Sequence, residues 1–161
     1  MNTPPTDIII RAYRSSDAAA TLEIFIRAIL GTARAQYSEE QTHAWLGDEP
    51  RATTWDAERL AAGTLIAERD GVVLGFTDLS GDGYIDRLFT LPAAARQGVA
   101  AALLADVIRL ARERSLTRLT THASRVARPV FERAEFVVDD VERVQRGEAE
   151  LERYAMHREL G

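Results

Sequence analysis

The sequence predicts an α/β fold: a mixed, mostly antiparallel central sheet with helices on both faces. Three observations predict it. Short β-branched and aromatic runs alternate with amphipathic stretches of helical period, which is the pattern of helices layered on a sheet. The middle of the chain carries three strand-like runs joined by tight turns, which reads as an antiparallel meander. The 161 residues, 46% hydrophobic and 28% charged, suffice to bury one sizeable core, so residues 1–161 are expected to form a single domain.

The elements follow in order. Ile8-Ile9-Ile10, closed by Arg11, is a short buried strand. Ser15-Ser16-Asp17 supplies helix-capping side chains, and Leu22, Ile24, Phe25, Ile29 and Leu30 then recur near helical spacing until Gly31. The stretch YSEEQTHAWLG reads as a second short helix, opened by Ser38 with Glu39, Glu40 and Gln41 in its first turn and closed by Gly47. A further helical piece covers Trp55 to Ala62. The period then changes to two. Thr64 to Glu68 and Val72 to Leu79 are strands around the turn Arg69-Asp70-Gly71, and Ser80-Gly81-Asp82-Gly83 turns the chain into a third strand, Tyr84 to Leu91, stopped by Pro92. Val99, Leu103, Val107, Ile108 and Ala111 mark one face of a long helix. Thr117 to His122 is a strand, Val126 to Ala134 a helix, and Phe136 to Arg146 and Leu151 to Arg158 are two closing strands. The order is β-α-α-β-β-β-α-β-α-β-β.

Composition narrows the function. A net charge of −5 argues against nucleic acid as the main partner. No apolar run is long enough to cross a bilayer, and the opening residues carry no secretory pattern. The chain has no cysteine, which removes disulfides, thiolate metal ligands and a cysteine nucleophile, and fits a cytoplasmic protein. All twenty basic residues are arginine, so neither a lysine Schiff base nor a P-loop lysine is available. No metal site is expected.

The long helix begins oddly, with Arg96-Gln97-Gly98 where a Ser, Thr, Asp or Asn cap is the rule. The first turn of a helix offers unpaired N–H groups and the positive end of its dipole to an anion. Gly98 allows a ligand close to the backbone, Arg96 suits phosphate oxygens, and Ala100 and Ala101 leave the approach open. The alternative is a surface loop with a glycine and an unrelated arginine.

The segment LFTLPAAARQGVAAALL resembles the cofactor motif of the GNAT superfamily of acyl-CoA-dependent N-acetyltransferases: a Gln or Arg, two residues, a glycine, one residue, then Gly or Ala. The strand before it ends in a similar hydrophobic-x-Pro step, Thr90-Leu91-Pro92. HASRVARPVFERAEF resembles the family's downstream strand end and helix, and IFIRAI with QYSEEQTHAW is similar to the two N-terminal helices of a branch of uncharacterised bacterial members. The likeness runs from about Ile8 to Leu160. Three positions depart from the pattern. Ala95 occupies the first motif position. Phe131 stands where many members carry a tyrosine that protonates the leaving thiolate. Glu135 replaces the glycine that usually ends that helix.

The resemblance implies acetyl-CoA as cosubstrate, with its pyrophosphate on the backbone of Arg96, Gln97, Gly98, Val99, Ala100 and Ala101. It places the pantetheine arm along Leu88, Phe89 and Thr90, with an N–H at Leu88 or Phe89 serving the oxyanion. Ser124 and Phe131 belong to the opposite wall, and Arg128 is a further phosphate candidate. The acceptor is a small-molecule or peptide amine. Tyr84, Asp86 and Leu88 alternate onto one strand face, so Asp86 is the first candidate base and His122 the second, with Tyr84 beside them. Asp86 has a competing reading as an ion-pair partner of Arg87, and His122 as a strand-end histidine. Phe25, Tyr37, His43 and Trp45 are acceptor-site candidates; His43 could equally face solvent and Trp45 could equally anchor a helix. Family members often form homodimers. Two rivals stay open: a non-catalytic module that senses acyl-CoA, which Phe131 favours, and an interaction domain in which the motif is coincidental.

Overall fold

The computed structural model describes residues 7–32, 37–41, 52–94, 96–146 and 149–161. Strand β1 (Ile9–Ala12) leads through a 3-10 turn into helix α1 (Ala18–Arg27), which runs on as a π-helical turn over Ala28–Thr32. Helix α2 (Ala52–Ala61) precedes the hairpin β2 (Thr64–Arg69) and β3 (Val72–Asp78). Two very short strands follow, β4 (Tyr84–Ile85) and β5 (Leu88–Thr90), then helix α3 (Val99–Glu113), strand β6 (Arg118–Ala123), helix α4 (Arg128–Arg133) and the long hairpin β7 (Val137–Arg146) and β8 (Ala149–Glu159).

The strands form two sheets of four, ordered β1-β2-β3-β5 and β4-β6-β8-β7. The expected mixed, mostly antiparallel α/β architecture holds, with one correction. The run Tyr84 to Leu91 is not the last strand of a meander. It breaks at Asp86-Arg87: β5 continues antiparallel to β3, whereas β4 swings away to pair in parallel with β6. Side chains of the preceding strand cause the break. The Asp78 carboxylate accepts the backbone N–H groups of Asp86 (2.7 Å) and Arg87 (3.3 Å), and Thr77 Oγ1 donates to the Arg87 carbonyl (2.7 Å). These bonds satisfy backbone that a regular ladder would have paired. On the far side, Thr121 Oγ1 donates to the Ile85 carbonyl at 2.7 Å and secures β4 to β6.

Period-two alternation in β2 explains why helices cover both faces of the first sheet. Leu65 and Ala67 face the cluster around Leu103, Leu104 and Val107 of α3, while Ile66 faces Ile24, Phe25 and Trp55 of α1 and α2. Gly75 in β3 is required by packing: a Cβ there would lie 2.8 Å from the Phe89 carbonyl and 3.0 Å from Val99. Its absence lets β5 and the start of α3 close against β3.

Candidate active site

The fork between β4 and β5 opens into a cavity of about 260 Å³. One side is the free edge of β5. Leu91 N–H donates to the Leu74 carbonyl of β3, so ladder alternation turns Phe89 toward β3 and leaves the N–H and C=O of Leu88 and Thr90 on the open side. Just beyond, α3 starts as the sequence implied. Gly98 caps it in the left-handed region (φ 82°), no side chain caps its first turn, and Arg96 also has positive φ (65°). Arg96, Gln97 and Gly98 are exposed, and Val99 is buried as the first anchor of the helix. Gln97 is held by Arg69, whose guanidinium donates to Gln97 Oε1 at 3.0 Å, and itself donates to the Ala93 carbonyl. Ala95 lies outside the described residues.

The opposite wall is built from side chains. Tyr84, Asp86, Leu88 and Phe89 line the cavity together with Phe25, Tyr37, His122, Ser124 and Phe131. Tyr84 Oη and His122 Nδ1 are 2.8 Å apart, and His122 Nε2 lies 3.6 Å from the Glu142 carboxylate. Glu142 is held in turn by Arg153 Nε at 2.8 Å. With Tyr84 donating to Nδ1, the neutral imidazole carries its proton on Nε2, facing Glu142. Burial pushes the Tyr84 phenol above its ordinary value, and the Asp86 charge adds to that. The hydroxyl therefore stays protonated at neutral pH and has a hydrogen to give.

Asp86 itself is exposed, its side chain 59% accessible, with Arg87 Nε at 3.8 Å. The strict alternation expected of Tyr84, Asp86 and Leu88 is lost at the break, yet all three reach the same cavity, and Arg87 joins them. Arg87 lies against the Phe25–Trp55 ring pair, its guanidinium carbon 4.8 and 5.2 Å from the two ring centres, which are themselves 5.3 Å apart.

Tyr37 fixes the cavity's outer side. Its hydroxyl accepts the Arg125 N–H at 2.6 Å, and the Arg125 guanidinium lies over the Tyr37 ring while pairing with Glu152 at 2.7 Å. Burial pushes the Tyr37 phenol up as well. The segment carrying it starts with the expected reciprocal cap: Gln41 N–H donates to Ser38 Oγ and Ser38 N–H to Gln41 Oε1. His43 and Trp45 fall outside the described residues.

Ser124 Oγ accepts the Ala127 N–H and shapes the turn into α4. Phe131 is buried, 2% exposed, and meets Phe136 edge to face at 5.1 Å. The Arg128 guanidinium is engaged by Glu132 at 2.9 Å and by the Tyr154 ring at 4.6 Å. The helix end at Glu135 keeps its left-handed residue without glycine (φ 69°): Phe136 N–H donates to the Phe131 carbonyl and Glu135 N–H to that of Glu132, a complete Schellman pair. Among the described residues no group of carboxylates and histidines is placed to hold a metal.

Sequence reasoning missed Glu142 and Arg153, because β7 and β8 reach the site only through sheet pairing. It also missed Asp78, since the run Asp78-Leu79-Ser80-Gly81 reads as an ordinary strand end. Arg87 was visible only as a neighbour of Asp86.

Residues 33–152 match the family model for the acetyltransferase (GNAT) domain. The chain belongs to the GNAT acetyltransferase family. It is 36% identical over 140 residues to the uncharacterised N-acetyltransferase YafP of Escherichia coli K12, covering 86% of this chain and 87% of that one. A crystal structure of a GCN5-related N-acetyltransferase from Rhodopseudomonas palustris, described as a class-II aminotransferase, superposes with a TM-score of 0.90 at 29% identity, covering 99% of this chain and all of the other. The PaiA N-acetyltransferase of Thermoplasma acidophilum, solved with coenzyme A, shares the fold at a TM-score of 0.77 and 18% identity, over 95% of this chain and 99% of that one. No helix among the described residues is long and apolar enough to cross a membrane.

Proposed function

We propose that this acetyltransferase binds acetyl-CoA along β5 and the start of α3, and passes the acetyl group directly to an amine held in the cavity. The observation that carries the reading is the Tyr84–His122 hydrogen bond, facing the free backbone edge of β5 across one cavity. The first-turn N–H groups of α3 are a ready seat for a pyrophosphate. The open N–H and C=O groups of Leu88 and Thr90 match the amides of a pantetheine arm, and the Leu88 N–H is the oxyanion donor. The PaiA N-acetyltransferase, solved with coenzyme A on the same fold, supports acetyl-CoA as the cosubstrate.

The acceptor arrives as an ammonium and must lose a proton before its nitrogen attacks. Tyr84 relays that proton to His122 Nδ1, and the resulting imidazolium is stabilised by Glu142 on its other nitrogen. Asp86, at the cavity mouth, draws the ammonium in. Attack on the thioester carbonyl forms the C–N bond, collapse of the oxyanion expels the coenzyme A thiolate, and the second proton on the attacking nitrogen passes through water to that thiolate. A thiol pKa of about 8.5 makes this a fair leaving group, so Phe131 in place of a tyrosine acid does not block the reaction. Direct transfer in a ternary complex is favoured over a covalent relay, since the chain has no cysteine to carry the acetyl group. Residues 1–161 act as one catalytic domain in the cytoplasm.

The test is coenzyme A release, read with a thiol reagent, over a panel of amines. The protein contributes no thiol background of its own. Release that depends on an added amine is the expected result. Acetyl-CoA at a hundred times its dissociation constant should also stabilise the fold by about 2.7 kcal/mol. Phe131 favours a second reading, an acyl-CoA sensor without chemistry. A clear thermal shift with no thiol release from any amine would establish it. Neither a shift nor release would remove both readings.

A further inference from the structure

Of the two arginines that line the cavity among the described residues, Arg87 and Arg153, Arg87 alone has no hydrogen-bonded carboxylate. Arg153, in the same wall, is paired with Glu142 at 2.8 Å. Arg87 makes no hydrogen bond through its guanidinium among the described residues, and its Nε is buried without a hydrogen-bond partner. The nearest carboxylate, Asp86, stands at 3.8 Å, beyond hydrogen-bond reach, and is largely in water. Asp78 cannot serve it. That carboxylate already accepts two backbone N–H groups and pairs with Arg59 at 3.3 Å. Arg59 in turn puts a second guanidinium into the same aromatic box, 4.9 Å from the centre of the Trp55 ring.

The buried Nε carries a desolvation cost that an oxyanion docked on the fork would offset. Contact with both the Phe25 and Trp55 rings holds the guanidinium in place beforehand, so less freedom is lost when an oxyanion docks on its fork. Burial, and then the repulsion of Arg59, draw the Arg87 pKa down, the direction expected of a cation short of counter-charge.

We propose that Arg87 seats a carboxylate carried by the acceptor, so that the acetylated amine belongs to an amino-acid-type molecule. This rests on the acetyl-transfer reading above. Asp86 and Arg87 then act as a matched pair, one facing the ammonium and the other the carboxylate of a zwitterion. Polyamines and simple alkylamines would bring no anion to the Arg87 fork. The same chemistry has two sources: a free amino acid, or the side-chain carboxylate of an Asp or Glu at a peptide N-terminus.

The experiment compares kcat/KM for free amino acids, for the corresponding amines without the carboxylate, for the amino-acid amides, and for peptides beginning with Asp or Glu against Asn or Gln. The carboxylate form should be preferred by on the order of 100-fold, since a site built to hydrogen-bond a group rejects the analogue lacking it. In Arg87→Met that preference should collapse toward unity, and Arg87→Lys, which keeps the charge but not the fork, should restore part of it. Circular dichroism and the acetyl-CoA thermal shift confirm that each variant is folded. If Arg87→Met does not fold, the wild-type preference and the Arg87→Lys variant decide. Acetylation confined to free amino acids assigns the first source, and acetylation confined to acidic N-termini the second. Equal rates with and without the carboxylate, or an unaltered preference in Arg87→Met, overturn the assignment of Arg87 and leave acetyl transfer standing. No acetylation of any amine overturns acetyl transfer itself, and this assignment with it.

Discussion

The two flanks of the fork are built from different materials. The β5 and α3 flank offers backbone: the open N–H and C=O groups of Leu88 and Thr90 and the uncapped first turn after Gly98. The flank formed by β4, β6, β7 and β8 offers side chains in a row, Tyr84, His122, Glu142 and Arg153, each placed by a different strand. A backbone surface tolerates many side chains but not an obstruction. A side-chain relay tolerates neighbouring change but not the loss of a member. Mutations should therefore separate cofactor affinity from turnover.

The sharpest separation is expected at Gly98. A Cβ there meets nothing within 4 Å in the free protein, so Gly98→Glu should fold, at about 1–2 kcal/mol of left-handed strain. Its carboxylate would nonetheless face the pyrophosphate seat. Calorimetry should show acetyl-CoA affinity falling by about 1,000-fold or more, roughly 4 kcal/mol. Retained affinity would show that the phosphates bind elsewhere. Next comes Asp78, which holds the two flanks apart. Asp78→Ala leaves two backbone N–H groups and the Arg59 guanidinium unpaired in a site 2% exposed, and should cost about 3–5 kcal/mol in denaturant unfolding. A loss under 1 kcal/mol would mean that Thr77 alone maintains the break.

His122→Gln should slow turnover by about 100-fold at neutral pH while the acetyl-CoA dissociation constant stays within about twofold. The deficit should narrow as pH rises, because more of the amine is already deprotonated. Asp86→Asn should cost less, under about tenfold, if Asp86 guides the ammonium rather than taking its proton. If steady-state kinetics reverse that order, Asp86 is the base. The smallest expected effect is a gain. Glu135→Gly relieves a left-handed glutamate at the end of α4 and should raise stability by about 1 kcal/mol, with kinetics unchanged.

The same contrast governs what could be read from the chain. The flank proposed for the cofactor is contiguous: Arg96-Gln97-Gly98 and the alanines after it form one helix start, which is a local event. The acceptor flank is assembled across distance. Tyr84 lies 38 positions from His122, and Glu142 reaches it only because β7 pairs with β8 and β8 with β6. Period-two patterning identifies those strands without fixing their order or register. The position of the break could not be read from periodicity, for a related reason. Residues 84–91 read as one strand, and what breaks it is the side chains of Thr77 and Asp78 on its neighbour. The left-handed cap at Glu135 survived the loss of its glycine because the two Schellman hydrogen bonds hold it.

The break at Asp86-Arg87 also sets how the unliganded protein behaves in a crowd of its own copies. β5 ends the first sheet and β4 ends the second, so each presents an open edge within the fork. An open edge is a template for any extended chain, and proteins usually blunt one with charge, proline or a covering element. Here Pro92 stops the run after β5 and the exposed charge of Asp86 stands at the gap between the two edges. Both devices keep the edges short without closing them. A cosubstrate lying along Leu88–Thr90 would close the gap, slow amide hydrogen exchange there, and remove the surface on which a partly unfolded copy could add a strand. The nucleotide that supplies the acetyl group would thus also act as the protein's own protection against aggregation.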